Sequence, residues 1–140
     1  MILLDTNVLS ELMRPQPNAA VVRWVDDQLT STLFTSAVTR AEIELGLALL
    51  PDSRRKQTLT MLARDLFAKF PQRCLPFEER AAVHYGRIVA SRIRTGRPMS
   101  VEDAQIAAIA LANGLRLATR NEKDFAEISD LVVFNPWHLE

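Results

Sequence analysis

The hydrophobic pattern of this chain switches repeatedly between short solid runs and longer stretches spaced by three and four. The solid runs are Ile2-Leu3-Leu4, Leu33-Phe34-Thr35-Ser36, Leu115 to Thr119 and Leu131-Val132-Val133-Phe134. Apolar runs of this length predict strands covered on both faces, as in a parallel sheet. Cys74-Leu75-Pro76-Phe77 predicts one more strand, placed at a sheet edge because proline cannot donate to a ladder.

Between the runs the spacing is helical. Thr6 and Asn7 are able to cap a first helix marked by Val8, Leu9 and Leu12. Arg14-Pro15-Gln16-Pro17 breaks the pattern, and Asn18 caps a second helix whose stripe is Val21, Val22, Val25 and Leu29, with Trp24 beside it. Thr39 and Glu42 read as a Thr-x-x-Glu capping box for a helix carrying Ile43, Leu45, Leu47, Leu49 and Leu50. A longer helix runs from Arg54 to Phe70 on Leu59, Leu62, Leu66 and Phe70, and the next from Glu78 to Arg94 on Ala82, Tyr85, Ile88, Val89 and Ile93. Ser100 caps a last one through Asn113, with Gly114 at the position after its end and so little polar surface that the helix is buried. Strands alternating with helices predict a three-layer α/β fold with a mainly parallel, roughly five-stranded sheet and no internal repeat.

Composition narrows the picture. A chain of 140 residues with 48% hydrophobic content is one domain by length, spanning 1–140, with enough apolar mass for one core. Lys plus Arg and Asp plus Glu both total 17, so no net field draws the protein to nucleic acid or membrane, and any polyanion contact rests on a local basic patch. Cys74 is the single cysteine, which excludes an internal disulfide and a Cys-rich zinc site and fits a reducing cytosol; it reads as a buried small hydrophobe rather than a nucleophile. The apolar N-terminal run has no basic residues before it, and no stretch approaches the roughly 20 apolar residues of a membrane helix. The expectation is a cytoplasmic protein with no membrane partner.

Four acids fall where such a fold gathers them. Asp5 ends the first strand, Glu42 and Asp103 lie in the first turns of helices, and Asp124 follows the fourth strand. In parallel α/β sheets ligands bind outside the carboxyl ends of the strands, where strand order reverses. Each acid also has a plain structural role available: Asp5 at a strand–helix junction, Glu42 and Asp103 as the third helical residues after Thr39 and Ser100. Both roles coexist, because the positive end of a helix holds a carboxylate ionised. Clustered carboxylates repel unless protons or cations neutralise them, and an all-oxygen set suits Mg²⁺, with Mn²⁺ as substitute, rather than Zn²⁺. His84 and His138 have no ligand spacing. Such a centre suits phosphodiester hydrolysis. Glu122, Glu127 and Asp130 compete with Asp124 for the fourth place.

The chain resembles the PIN-domain ribonucleases, and among them the VapC and FitB toxins of bacterial toxin–antitoxin pairs. The matching pieces are Ile2-Leu3-Leu4-Asp5-Thr6-Asn7, Ser36-Ala37-Val38-Thr39 leading to Ala41-Glu42 and Gly46, Asp103 with Ile106-Ala107-Ala108, Ala118-Thr119-Arg120-Asn121 with Asp124-Phe125, and Phe134-Asn135-Pro136-Trp137. The resemblance implies a single PIN domain and a Mg²⁺-dependent endoribonuclease whose metal-binding and catalytic acids are Asp5, Glu42 and Asp103. Asn121 stands where some relatives have Asp, which leaves Asp124 as the fourth acid. Thr6 and Thr119 match hydroxyl residues that support those acids. The resemblance further implies a small DNA-binding antitoxin as partner, contact with operator DNA only through it, a homodimer and a higher assembly with the antitoxin. Apolar residues on the helices at 19–29 and 54–70 are available for either contact.

Arg92, Arg94 and Arg97 precede Asp103 closely and are candidates for contact with an RNA backbone; the alternative is a solvated helix end favourable to cations. No His–Asp partnership accompanies Ser10, Ser36 or Ser91, which disfavours a serine hydrolase. Asn7 stands where a haloacid-dehalogenase phosphatase needs a second Asp. The rival expectation is a catalytically weak binding module acting as co-repressor with a DNA-binding antitoxin.

Overall fold

The computed structural model describes residues 1–139. Five strands, β1 (Ile2–Leu4), β2 (Leu33–Ser36), β3 (Cys74–Leu75), β4 (Arg116–Ala118) and β5 (Val133–Phe134), form one sheet in the order β3-β2-β1-β4-β5. Every pairing is parallel. Six α-helices connect them: α1 (Thr6–Leu12), α2 (Ala19–Asp26), α3 (Ala37–Ala48), α4 (Arg54–Phe67), α5 (Glu79–Arg94) and α6 (Val101–Ala112).

Side chains alternate across a strand, and β1 divides its neighbours accordingly. Ile2 and Leu4 pack with Val8, Leu9, Val21, Ile43 and Phe67 from α1 to α4, whereas Leu3 joins Ala81, Ile88 and the run Ile106 to Ala110 from α5 and α6. Helices therefore cover both faces, giving the expected three layers. α6 is buried from Ala104 to Ala110 apart from the half-buried Gln105, as its apolar composition predicts. It ends at Asn113, and Gly114 adopts φ 64°, the left-handed conformation that glycine takes with least strain after a helix.

Several local expectations are corrected. Asp5 itself caps α1, accepting from the Thr6 amide, in place of Thr6 or Asn7. Ser36, not Thr39, caps α3 and accepts from the Thr39 amide, so the helix starts earlier and Glu42 sits in its second turn. α2 stops at Asp26, leaving Leu29 outside it and exposed, and α4 stops at Phe67. On α5 the buried face is Ala81, Ile88 and Arg92, while Ile93 and Ala82 are exposed. Cys74 is exposed on the edge strand rather than buried. β3 and β5 are only two residues long, and Pro76 follows the first of them directly.

α1 and α2 are joined by a buried acid. Glu11 accepts from the Asn18 amide at 2.9 Å and from Arg14 at 3.2 Å, which fixes the turn through Pro15 and Pro17. No helix among the described residues is long and apolar enough to cross a membrane.

Candidate metal and catalytic centre

The chain leaves β1 toward β2 on one side, and β4 pairs with β1 on the other, so strand order reverses between β1 and β4. The crevice at such a reversal, beyond the strand ends, is where open parallel sheets bind ligands. Asp5 stands at the end of β1 and Thr119 at the end of β4, and both are buried.

Asp5 is held by three donors. Its Oδ1 accepts from the Thr6 amide at 2.8 Å; its Oδ2 accepts from the Thr119 hydroxyl at 2.7 Å and from Asn7 Nδ2 at 3.2 Å. Thr119 spends its one proton on Asp5, and its oxygen accepts from Asn7 Nδ2 at 3.2 Å and from the Asn121 amide at 3.1 Å, so its hydrogen-bonding capacity is filled. Asn7 Oδ1 accepts from the Arg120 amide at 3.2 Å, closing a bridge between α1 and the segment after β4.

A second network holds Glu42. Thr6 donates its hydroxyl to Glu42 Oε1 at 2.7 Å, so the 3.0 Å contact between the Thr6 and Thr39 hydroxyls has Thr39 as donor. Thr6 therefore touches the site twice, through its amide to Asp5 and its hydroxyl to Glu42.

The electrostatics tie the acids together. Burial, helped by the charges of Asp103 and Glu42 and opposed by the hydrogen bonds of Thr119 and Thr6, raises the Asp5 carboxyl from 3.8 to about 6. Burial likewise raises Asp103, opposed by Ser100, with Asp124, Glu42 and Glu102 adding to the rise. Each of the four predicted acids thus feels, or is felt by, another. The 3.8-to-6 displacement corresponds to roughly 3 kcal/mol against the charged form of Asp5 at neutral pH. Asp103 is half-buried at the start of α6, where the Ser100 hydroxyl accepts from its amide at 3.1 Å, as the capping pattern predicts. Asp124 is exposed on a 3-10 turn at Glu122–Phe125. Of the acids in that region, Asp124 is the one whose charge acts on Asp103.

Among the described residues, no three acid, histidine or cysteine side chains converge closely enough to form a complete metal cage. The donor set still fits a hard cation: it is all oxygen, it carries excess negative charge at a buried carboxyl, and Mg²⁺ keeps several waters and needs only one or two carboxylates. Asp5, Glu42, Asp103 and Asp124 would hold it.

Other expected positions fare differently. Asn121 enters through its backbone amide alone; its side chain makes no hydrogen bond among the described residues. Arg92 is not at a solvated helix end facing RNA: it is 7% exposed and donates to backbone carbonyls. Arg97 is engaged with Glu127 at 2.6 Å, and Arg94 is exposed. Asn7 and Thr39 are site residues that sequence reasoning missed. For Asn7 a signal existed, an amide two residues beyond a strand-ending acid and so within reach of that acid from the first turn of a helix.

A buried acid at the switch point of a parallel three-layer sheet, with the charges of other acids acting on it, marks an α/β protein whose ligand crevice lies beyond the strand ends. The PIN domain model matches residues 2–131, and the chain belongs to the PIN domain family. It is 42% identical over 139 residues to the toxin FitB of Neisseria gonorrhoeae, covering 99% of each chain, and 38% identical over 138 residues to the VapC ribonuclease Y4jK of Sinorhizobium fredii, covering 98% of each. The solved structure of FitAB bound to an IR36 DNA fragment contains a chain that superposes with a TM-score of 0.91 at 42% identity, covering 100% of this chain and 98% of that one.

Proposed function

We propose that this chain is the toxin of a type II toxin–antitoxin pair, a Mg²⁺-dependent endoribonuclease that hydrolyses RNA phosphodiester bonds. The observation that carries this reading is the buried Asp5 carboxyl at the β1/β4 switch point, held by three donors yet pushed up to about 6 by burial and by its acid neighbours. A carboxylate so placed is stabilised by a cation, and the names of the PIN-domain relatives supply the reaction class.

Mg²⁺ bound there would supply an acidified water and charge neutralisation at the scissile phosphate. The protein's own part is positional. Thr119 and Asn7 fix the plane of the Asp5 carboxyl, Thr6 fixes Glu42 relative to it, and the Ser100 cap at the α6 N-terminus places Asp103 and opposes the rise that burial imposes on its carboxyl. Asp124, on its loop, completes the acid set from the solvent side.

The inhibitor in this reading is a small DNA-binding antitoxin. A groove of about 720 Å³ supports it: Met13, Ile43, Leu47, Leu59 and Leu62 line it together with Thr6 and Glu42. An apolar segment of the antitoxin fits that groove, and a Lys or Arg at its end reaches the acids in place of the cation. Exposed Leu45 on α3, Leu49 at its C-terminal cap and Met61 on α4 leave apolar surface for a second copy of the toxin.

The test is RNA cleavage by the purified chain with and without Mg²⁺, beside Asp103→Asn. Cleavage that needs Mg²⁺ and falls by orders of magnitude in Asp103→Asn is the expected result. The second reading, a co-repressor without significant cleavage, is favoured by the relative solved on DNA. It replaces the first if wild-type protein is inactive while its antitoxin complex binds operator DNA.

A further inference from the structure

Arg92 lies in the last turn of α5, a place where a cation normally faces water, yet its side chain is buried. A buried guanidinium is tolerated only when its donors are paired. It forms no ion pair with any carboxylate among the described residues. Its partners are backbone carbonyls: Nη2 donates to Asp124 O at 2.9 Å and to Ala126 O at 2.8 Å, and Nη1 to Arg97 O at 3.5 Å.

Those carbonyls come from two segments. Asp124 and Ala126 belong to the 3-10 turn and its cap, and Arg97 to the link that leads into α6 and Asp103. The 3-10 turn cannot fix itself well. Its terminal carbonyls lack helical partners, and the residues after it include Glu127 at φ 63° and Asp130 at φ 68°, conformations that L side chains hold only when the surroundings impose them. Phe125 is buried and sets the depth of the turn, and Ile128 and Leu131 pack on the same cluster further along, but none of these apolar contacts holds the carbonyls of the turn. The Arg97–Glu127 pair adds a second tie, exposed at both ends and weak for that reason.

We infer that Arg92 is a positioning residue for cleavage: its planar fork orients the peptide groups on either side of Phe125 and so sets the direction in which Asp124 leaves the backbone toward Asp103. The inference rests on the reading of Asp124 as part of the cation site. Lysine cannot substitute fully, because a point ammonium does not span carbonyls of two segments in a fixed plane.

The test uses Arg92→Met, Arg92→Lys, Asp124→Asn and the double variant Arg92→Met/Asp124→Asn. Two readouts are taken: hydrogen exchange of the metal-free protein at residues 122–130, and the Mg²⁺ concentration giving half-maximal RNA cleavage. Arg92→Met is expected to speed exchange at 122–130 at least tenfold over the rest of the chain. It should also raise the half-maximal Mg²⁺ concentration about as much as Asp124→Asn does, with the double variant no worse than Asp124→Asn and Arg92→Lys in between. Unchanged exchange in both Arg92 variants overturns the clamp. Multiplicative losses in the double variant overturn the link from clamp to Asp124. Faster exchange in Arg92→Met beside a silent Asp124→Asn overturns the inference at a different point: the clamp exists, and the assignment of Asp124 is what failed. If Arg92→Met does not fold, Arg92→Lys decides by the same two readouts.

Discussion

The two sides of the acid cluster are built in opposite ways. On the sheet side, Asp5 is buried at a strand end and gripped by Thr6, Asn7 and Thr119; on the loop side, Asp124 is exposed and held through its backbone, its carbonyl by Arg92 and its amide by the Asn121 carbonyl. The first acid is held by hydrogen bonds to its own carboxyl, the second by hydrogen bonds to the chain that carries it. A carboxyl fixed directly is ready for a cation but uncomfortable without one, whereas a carboxyl on a clamped loop keeps its own freedom and its contact with water. The difference predicts unequal consequences when each side is disturbed.

The largest effect belongs to the sheet side. Asp5→Asn, Glu42→Gln and Asp103→Asn should each lower RNA cleavage by orders of magnitude, since in the proposed mechanism each removes a charge from the cation site. Thermal melts should find all three folded. A wild-type cleavage rate for Asp103→Asn in saturating Mg²⁺ would show that it serves only as the partner of Ser100. Asp124→Asn should lose less, and Glu122→Gln should be nearly silent.

Metal comes next. Saturating Mg²⁺ should raise the melting temperature of the wild-type protein by several degrees, because a ligand at about 100 times its dissociation constant adds about 2.7 kcal/mol. In Asp5→Asn the rise should vanish, while metal-free stability at pH 7 should equal or exceed wild type. No Mg²⁺-induced shift in the wild type at millimolar concentration would count against the site.

The pH dependence follows with its sign. Asp5 has a folded pKa raised from 3.8 to about 6, and Asp103 is raised too, so the folded chain holds protons that the unfolded chain releases. The Asp5 contribution to stability is therefore fully present below about pH 4 and is lost as pH rises through about 6, and Asp103 acts in the same direction. Chemical denaturation in a chelator should give a lower stability from this source at pH 7.5 than at pH 5, and Asp5→Asn should flatten the trend. Mg²⁺ should reverse it, since the cation needs the deprotonated acids.

The smallest effect sharpens the sheet side alone. Thr119→Val keeps the shape but removes the donor to Asp5 and the acceptor for Asn7 and Asn121, at a cost of about 1–3 kcal/mol. Cleavage should fall several-fold rather than vanish, and a stability equal to wild type would mean the network adds nothing.

What the sequence alone revealed follows the same division. The order of the strands and the Ser100 cap rest on patterns a few residues long, and the structure reproduces them; it places Asp5 directly after β1 and Asp103 in the first turn of α6. The start of α3 was misplaced because Ser36 and Thr39 are both good caps and only the end of β2 decides between them. Arg92 was misassigned for a deeper reason. Nothing within its own helix distinguishes an arginine bound for solvent from one that meets carbonyls 32 and 34 residues away. Asn7 joins Thr119 across 112 positions, a pairing that no local pattern announces.

That long reach bears on how the protein is made. The Thr119 hydroxyl meets Asp5 across 114 positions of sequence, and β1 takes the much later β4 as its second neighbour. Chains emerge from the ribosome starting at the N-terminus and assemble as they go. Until the segment 116–119 has emerged, Asp5 has no Thr119, Asn7 has no bridge, and the crevice has only one wall. The crevice is therefore assembled late, from two strand ends that leave the ribosome 114 positions apart.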